Sequence, residues 1–213
     1  MPIVLLALIA IAYTPVNAQL PDARQVAQER ARAEVEVPQL AALLELKPGM
    51  TVADVGAGFG SSTVVFAKWI GSGKVFATDI GQRQLRAIRD YVDKESLTNV
   101  TVIEGSAAAT NLPPACCDAL FMRDVYHHVT EVDAFNASLL ASLKPGGRIA
   151  VIDFAPRPGS TLPSGVPANR GGHGISPAVV VAELRAAGFT HLRTIESWPP
   201  GDKETFHLSL FRK

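Results

Sequence analysis

Residues 52–60 read VADVGAGFG, and Asp79 closes a second apolar run, VFAT, nineteen residues beyond the last of these glycines. Glycines directly after a buried strand let the backbone turn sharply into a helix and let ligand atoms approach the main chain. Gly56, Ala57, Gly58 and Gly60 supply that stretch. A dinucleotide site normally reads G-x-G-x-x-G, with a pyrophosphate on the helix N-terminus. Here the spacing is G-x-G-x-G, and Ser61 stands where the last glycine would fall. A carboxylate at Asp79 can accept both ribose hydroxyls of either kind of nucleoside ligand. Asp54, two residues before the first glycine, separates the two: it attracts an ammonium or sulfonium and repels a pyrophosphate. Taken alone, the glycine spacing also fits an ordinary tight strand-to-helix turn.

A second group of reactive side chains lies in RDVYHHV, residues 123–129, after another apolar run. His127 or His128 would suit a general base near neutral pH; the bland reading is that one caps the next helix and the other packs. Asp153, at the end of the apolar run IAVI within RIAVIDF, either faces an acceptor or caps the loop after it. His173 in GGHGIS either reaches over a pocket or covers the surface. Adjacent histidines are expected to point apart on a helix or strand, and no second cluster is spaced to join them, so no metal is expected. Cys116 and Cys117 are adjacent and cannot staple distant parts of the chain. Arsenic capture by this pair is disfavoured, because Pro113 and Pro114 make a surface turn the simpler account.

These residues must be held by elements that the hydrophobic pattern predicts. Asp22 to Leu46 shows helical spacing interrupted by Pro38, which predicts two short helices. A strand follows at 50–55, then a helix at 61–70 stopped by Gly71 and Gly73. The pattern repeats as strand 74–78, helix 82–94, strand 100–104, strand 119–123, helix 132–143 and strand 148–154. That alternation predicts an α/β class with a mostly parallel sheet covered on both faces. APRPGSTLPSGVPANRGG, from Ala155, is too rich in Pro and Gly for a helix, and is expected to be a loop: a flap over the site or a plain linker. Ser176 and Pro177 open a further helix that Gly188 closes, and two C-terminal strands pair antiparallel.

Of 213 residues, 47% are hydrophobic and 19% charged, enough for a core of one globular domain, and disorder is not expected. Twenty basic residues balance twenty acidic ones, which removes the bulk electrostatic drive toward nucleic acid. A small-molecule partner is expected, and no nucleic acid. Residues 1–18 form a signal-like segment, apolar from Ile3 to Tyr13 and ending in Val16-Asn17-Ala18; cleavage for export and an uncleaved membrane anchor are both open. Residues 22–213 are expected to be a single domain.

VADVGAGFG followed by VFATDI resembles the first two motifs of the class I S-adenosylmethionine-dependent methyltransferases, and KPGGRIAVIDF, at 144–154, resembles their turn and fifth strand. The similarity is greatest to the small-molecule branch that includes ubiquinone and menaquinone methyltransferases. It covers roughly residues 40–213. The resemblance implies a Rossmann-like, doubly wound seven-stranded sheet with a reversed last strand, and S-adenosylmethionine as cofactor. It assigns the glycine loop to the methionine and ribose portions, Asp79 to the ribose hydroxyls and Ile80 to the adenine. It sets Ser106 and Ala107 beside the adenine, and Arg123, Asp124, Tyr126, His127 and His128 near the methionine end and the acceptor. Ser106 departs from the aspartate usual there, a loss on the order of 1 kcal/mol in cofactor binding. Methyl transfer from a sulfonium can be driven by alignment alone, worth roughly 7–11 kcal/mol, so a base is needed only if the acceptor must lose a proton. Two other readings remain at this point: a nicotinamide-dependent (NAD(P)) oxidoreductase, and an exported cofactor-binding protein without turnover.

Overall fold

The computed structural model describes residues 23–200 and 206–213. The signal-like segment therefore lies outside the described residues. Helix α1 (Ala23–Leu43) leads into β1 (Thr51–Val55), α2 (Ser61–Ile70), β2 (Lys74–Asp79), α3 (Gln82–Lys94), β3 (Val100–Glu104), β4 (Cys117–Arg123), α4 (Val132–Ser142), β5 (Leu143–Phe154), α5 (Pro177–Ala186), β6 (Thr190–Trp198) and β7 (Phe206–Arg212). The strands form one seven-stranded sheet in the order β3-β2-β1-β4-β5-β7-β6. β1 to β5 pair in parallel, whereas β7 runs antiparallel to both β5 and β6. This is the α/β sheet with a reversed last strand that the resemblance implied.

Along β4 the side chains alternate between two cores, as a strand buried on both faces requires. Leu120 and Met122 pack with Ile149, Val151, Leu139 and Leu184 on the face that α4 and α5 cover. Ala119 and Phe121 pack with Val52, Phe66, Ile70 and Ile152 on the face that α1 and α2 cover. The Phe66 and Phe121 rings lie 4.7 Å apart, so the contact of α2 with the sheet is aromatic at its centre.

Two expectations are corrected. α1 is one helix with Pro38 inside it, in place of two short ones. Pro38 is exposed, and so is Glu34 one turn earlier, whose carbonyl lacks its usual N–H partner; both lie on the exposed side of the helix, which continues through them. The long loop from Ala155 is neither a plain linker nor loose against the domain. Arg170 within it is fully buried and pairs with Glu183 of α5 at 3.0 Å. Ile175 is buried, its N–H bonds the Phe154 carbonyl at 2.8 Å, and its own carbonyl meets His207 Nε2 of β7 at 2.9 Å.

The topology fixes where a ligand can sit. The chain winds outward from β1 to β2 and β3, then returns to β4 on the other side of β1, so the crossovers diverge between β1 and β4 and leave a crevice at their carboxyl ends.

Candidate functional site

A cleft of about 180 Å³ occupies that crevice, lined by Glu29, Arg32, Asp54, Gly56, Ala57, Gly58, Phe59, Ser61, Ser62, Arg123 and Asp124. Its floor is the glycine loop. Gly56 and Ala57 donate their N–H groups to the Thr78 carbonyl at 2.8 and 2.9 Å, which ties the loop to the end of β2. Gly56 has φ +74°, and a Cβ there would strike the Val125 side chain at 2.5 Å. Gly58, at φ +55°, is different: a Cβ would meet nothing within 4 Å, so the bare backbone faces open space in the cleft wall. Gly60 does not reach the cleft. It is buried at the start of α2, and its missing side chain makes room for Ile88 of α3, 3.3 Å from where a Cβ would stand.

Asp54 is buried at the end of β1, and Thr63 Oγ1 of α2 donates to its Oδ2 at 2.6 Å. Burial pushes its pKa up to about 7, against the opposing hydrogen bond, with the neighbouring Asp79 charge adding to the rise. Asp79 accepts the Gly81 N–H on Oδ1 and the Gly58 N–H on Oδ2, each at 2.9 Å. Burial raises its pKa while those backbone bonds oppose the shift. One carboxylate thus spans the glycine loop and the turn after β2, with an acceptor lone pair left on each oxygen. Ile80 is 62% exposed beside it, an apolar surface of the kind a flat base covers. Ser106 and Ala107 are also exposed, and Ser106 Oγ accepts the Ala109 N–H at 3.1 Å, so that hydroxyl is engaged within its own turn.

On the far side of β1, Arg123 Nε donates to Glu36 of α1 at 2.9 and 3.2 Å, and its guanidinium lies 4.4 Å from the Phe206 ring centre. Asp124 follows at φ +59°, and burial, then the Asp153 charge, raises its pKa. The chain next makes a 3-10 turn, Tyr126–His128, closed by the His128 N–H on the Val125 carbonyl at 2.9 Å.

This turn overturns the expectation that the adjacent histidines diverge. Tighter than an α-helix and not a strand, it sets the His127 and His128 rings 4.1 Å apart, and the anchored loop brings His173 to 4.8 Å from His127 and 5.6 Å from His128. His127 is buried, and its Nδ1 lies 2.8 Å from Oδ1 of the fully buried Asp153. Asp153 also accepts the backbone N–H groups of His127 and Phe154 at 3.0 and 2.9 Å, so it both caps and orients. A proton on Nδ1 directed to Asp153 leaves the Nε2 lone pair toward His173, whose Nε2 is 3.1 Å away. His128 is partly solvent-exposed, yet desolvation among the surrounding rings, with the His127 and His173 charges, lowers its pKa to about 4.

The structure thus gathers Asp54, Gly56, Ala57, Gly58, Arg123 and Asp124 around one cleft, with Asp79 behind Gly58 and the histidines beyond Asp124. Sequence reasoning missed Glu29, Arg32, Phe59 and Ser62 in the lining and Glu36 behind it. The available signal was the charge on α1, which reads as a solvated face until β4 is known to lie beside it. The mixed charge of the walls fits a zwitterion carrying an additional cation: Asp54, Glu29 and Asp124 suit ammonium and sulfonium groups, and Arg32 suits a carboxylate.

Residues 52–147 match the family model described as a methyltransferase domain. A stretch of 111 residues is 35% identical to the ubiquinone/menaquinone biosynthesis C-methyltransferase UbiE of Shewanella halifaxensis, covering 51% of this chain and 44% of that protein. The chain therefore spans less than half the length of such relatives. A crystal structure of an S-adenosylmethionine-dependent methyltransferase from Aquifex aeolicus superposes with a TM-score of 0.71 at 26% identity, over 91% of this chain and 99% of that one. The fold is also shared with Haemonchus contortus phosphoethanolamine N-methyltransferase 2 in complex with S-adenosyl-L-methionine, with a TM-score of 0.65 at 17% identity over 84% of this chain and 52% of that one. None of these findings supports the nicotinamide or the binding-protein reading.

Proposed function

We propose that this chain, which belongs to the class I S-adenosylmethionine-dependent methyltransferases, moves a methyl group from that cofactor to a small organic acceptor held between the glycine-loop cleft and the three histidines. The observation that carries the reading is the buried Asp54 carboxyl beside the open Gly58 backbone, a cleft wall that favours a cation over a diphosphate. When bound, the cofactor supplies an electrophilic methyl on a sulfonium leaving group.

The residues then have separate tasks. Asp54, Gly56, Ala57 and Gly58 would hold the amino-acid portion, with Arg32 and Arg123 supplying positive charge near its carboxylate. Asp79 would take the ribose hydroxyls on the lone pairs that Gly58 and Gly81 leave, and Ile80 with Ser106 and Ala107 would border the base. Gly60 serves through packing, by letting α2 approach α3. Asp124 lies between the cleft and His127. If the acceptor is a hydroxyl or amine, its proton passes to the imidazole cluster, where the His127 tautomer with Nδ1–H on Asp153 presents Nε2 as the acceptor and His128 and His173 flank the approach. For the relatives, ubiquinone and menaquinone biosynthesis is the named context, and phenols and quinols are accordingly the first acceptors to test here. Residues 22–213 are treated as one unit, and an N-terminal membrane association or export remains a separate proposal. No helix among the described residues is long and apolar enough to cross a membrane.

The test uses the full chain, methyl-labelled S-adenosylmethionine and a panel of phenols, quinols and a metabolite extract. Label moving to an acceptor, and abolished by Asp79→Ala, supports the reading. Cofactor binding with no label transferred to any component would favour a protein without turnover.

A further inference from the structure

We propose that His127, His128 and His173 bind one divalent first-row transition metal ion of the zinc class. Each ring offers one nitrogen, and the three nitrogens lie within 4.8 Å of one another. His127 Nε2 and His173 Nε2 are 3.1 Å apart. Two imidazoles on a tetrahedral ion, at bonds of about 2.0–2.1 Å, place their nitrogens roughly 3.3 Å apart. Two of the donors therefore already stand near a chelating distance, and the third, on His128, lies within 4.8 Å of both and has to close in to complete the set.

The second observation is independent of the rings' proximity. Asp153 Oδ1 holds His127 Nδ1 at 2.8 Å, and Asp153 is itself fully buried and fixed by two backbone N–H groups. A carboxylate on the remote nitrogen of an imidazole is the arrangement that orients metal-ligating histidines and raises their basicity. His173 is likewise fixed: its N–H bonds Ser160 Oγ at 2.8 Å, its carbonyl accepts the Arg157 N–H at 3.1 Å, and the Phe154 ring packs against both His127 and His173.

An all-imidazole donor set excludes calcium and magnesium, which take oxygen ligands, and suits zinc, cobalt, nickel or copper. The cluster is open on one side, where His128 is exposed and His173 half-buried, so a fourth position faces solvent. A three-ligand site with an open position can take an acceptor oxygen or thiol and favour its deprotonated form. That last use rests on the methyl-transfer reading and would replace the His127 base there, because the ion would occupy the Nε2 lone pair; the metal site itself does not rest on that reading.

The experiment takes the tag-free full chain, strips it with chelator, and titrates it with Zn²⁺ and Co²⁺. The expected result is one Zn²⁺ per chain, a visible Co²⁺ ligand-field band, and ring-proton signals shifted by cobalt in the wild type. His128→Ala and His173→Ala should each weaken Zn²⁺ at least about tenfold, and Asp153→Asn about 10–100-fold. A Cys116→Ser, Cys117→Ser double variant should bind as the wild type does. The proposal is overturned if binding is substoichiometric, if the histidine variants bind unchanged, or if the cysteine variant abolishes binding. Titration of the same samples with S-adenosylhomocysteine separates the two readings. Metal silence in a chain that binds the nucleoside sinks only the metal site, and metal binding without nucleoside binding sinks only the methyl-transfer reading.

Discussion

A carboxyl group poised near pH 7 inside a ligand cleft makes both binding and stability depend on pH, in opposite directions. Asp54 has a pKa of about 7 in the folded chain against an ordinary 3.8. Between those values the folded state holds a proton that the unfolded chain has released, so this group's contribution to stability falls as pH rises from 4 through 7. The melting temperature of the ligand-free protein should decline over that window, and Asp54→Asn should remove this part of the decline. A cation in the cleft favours the ionised carboxyl, so cofactor affinity should fall up to tenfold per unit as pH drops below about 7, with proton release on binding measurable in buffers of different ionisation enthalpy. An affinity independent of pH in the wild type would remove Asp54 from the site. At the acceptor end, His127→Gln should lower kcat by about 10²–10⁴-fold for a hydroxyl or amine acceptor and leave cofactor affinity intact. Equal loss in both would make its role structural.

Among the elements, the contact of α1 with β4 carries the strongest single expectation. Arg123 and Glu36 have side chains only 7% and 1% exposed, so the pair sits in a largely dehydrated place. Glu36→Gln removes the charged partner and should cost on the order of 1–3 kcal/mol, read as a lower urea midpoint with an unchanged slope. Gly60→Ala forces a left-handed conformation at φ +84° and crowds Ile88, and should cost about 1–2 kcal/mol while leaving the cleft lining unaltered. Most element positions were legible from hydrophobic period and glycine punctuation, because β1 to β5 and the helices between them obey local rules. Pro38 was misread because a proline on the exposed side of a helix can be carried within it, which periodicity does not reveal. Glu36 was invisible for the converse reason: a glutamate on an amphipathic helix looks solvated until another chain segment covers it.

For the molecule as a whole, the sheet order places four strand ends, those of β1, β2, β4 and β5, around one crevice and so unites Asp54, Asp79, Arg123 and Asp153 from positions up to 99 residues apart. The glycine-loop cleft was legible because its spacing is set within one strand-loop-helix unit. The histidine cluster was not, since it depends on a 3-10 turn and on a loop anchored far along the chain by Arg170 and Ile175. The central claim is that this crevice takes a cationic nucleoside and not a dinucleotide. Calorimetric titration of the full chain at pH 8 with S-adenosylmethionine, S-adenosylhomocysteine and NADH tests it most directly. One-to-one binding of the first two, weakened at least about tenfold by Asp79→Ala, with no heat from NADH, is the predicted result. Binding of NADH alone would contradict it.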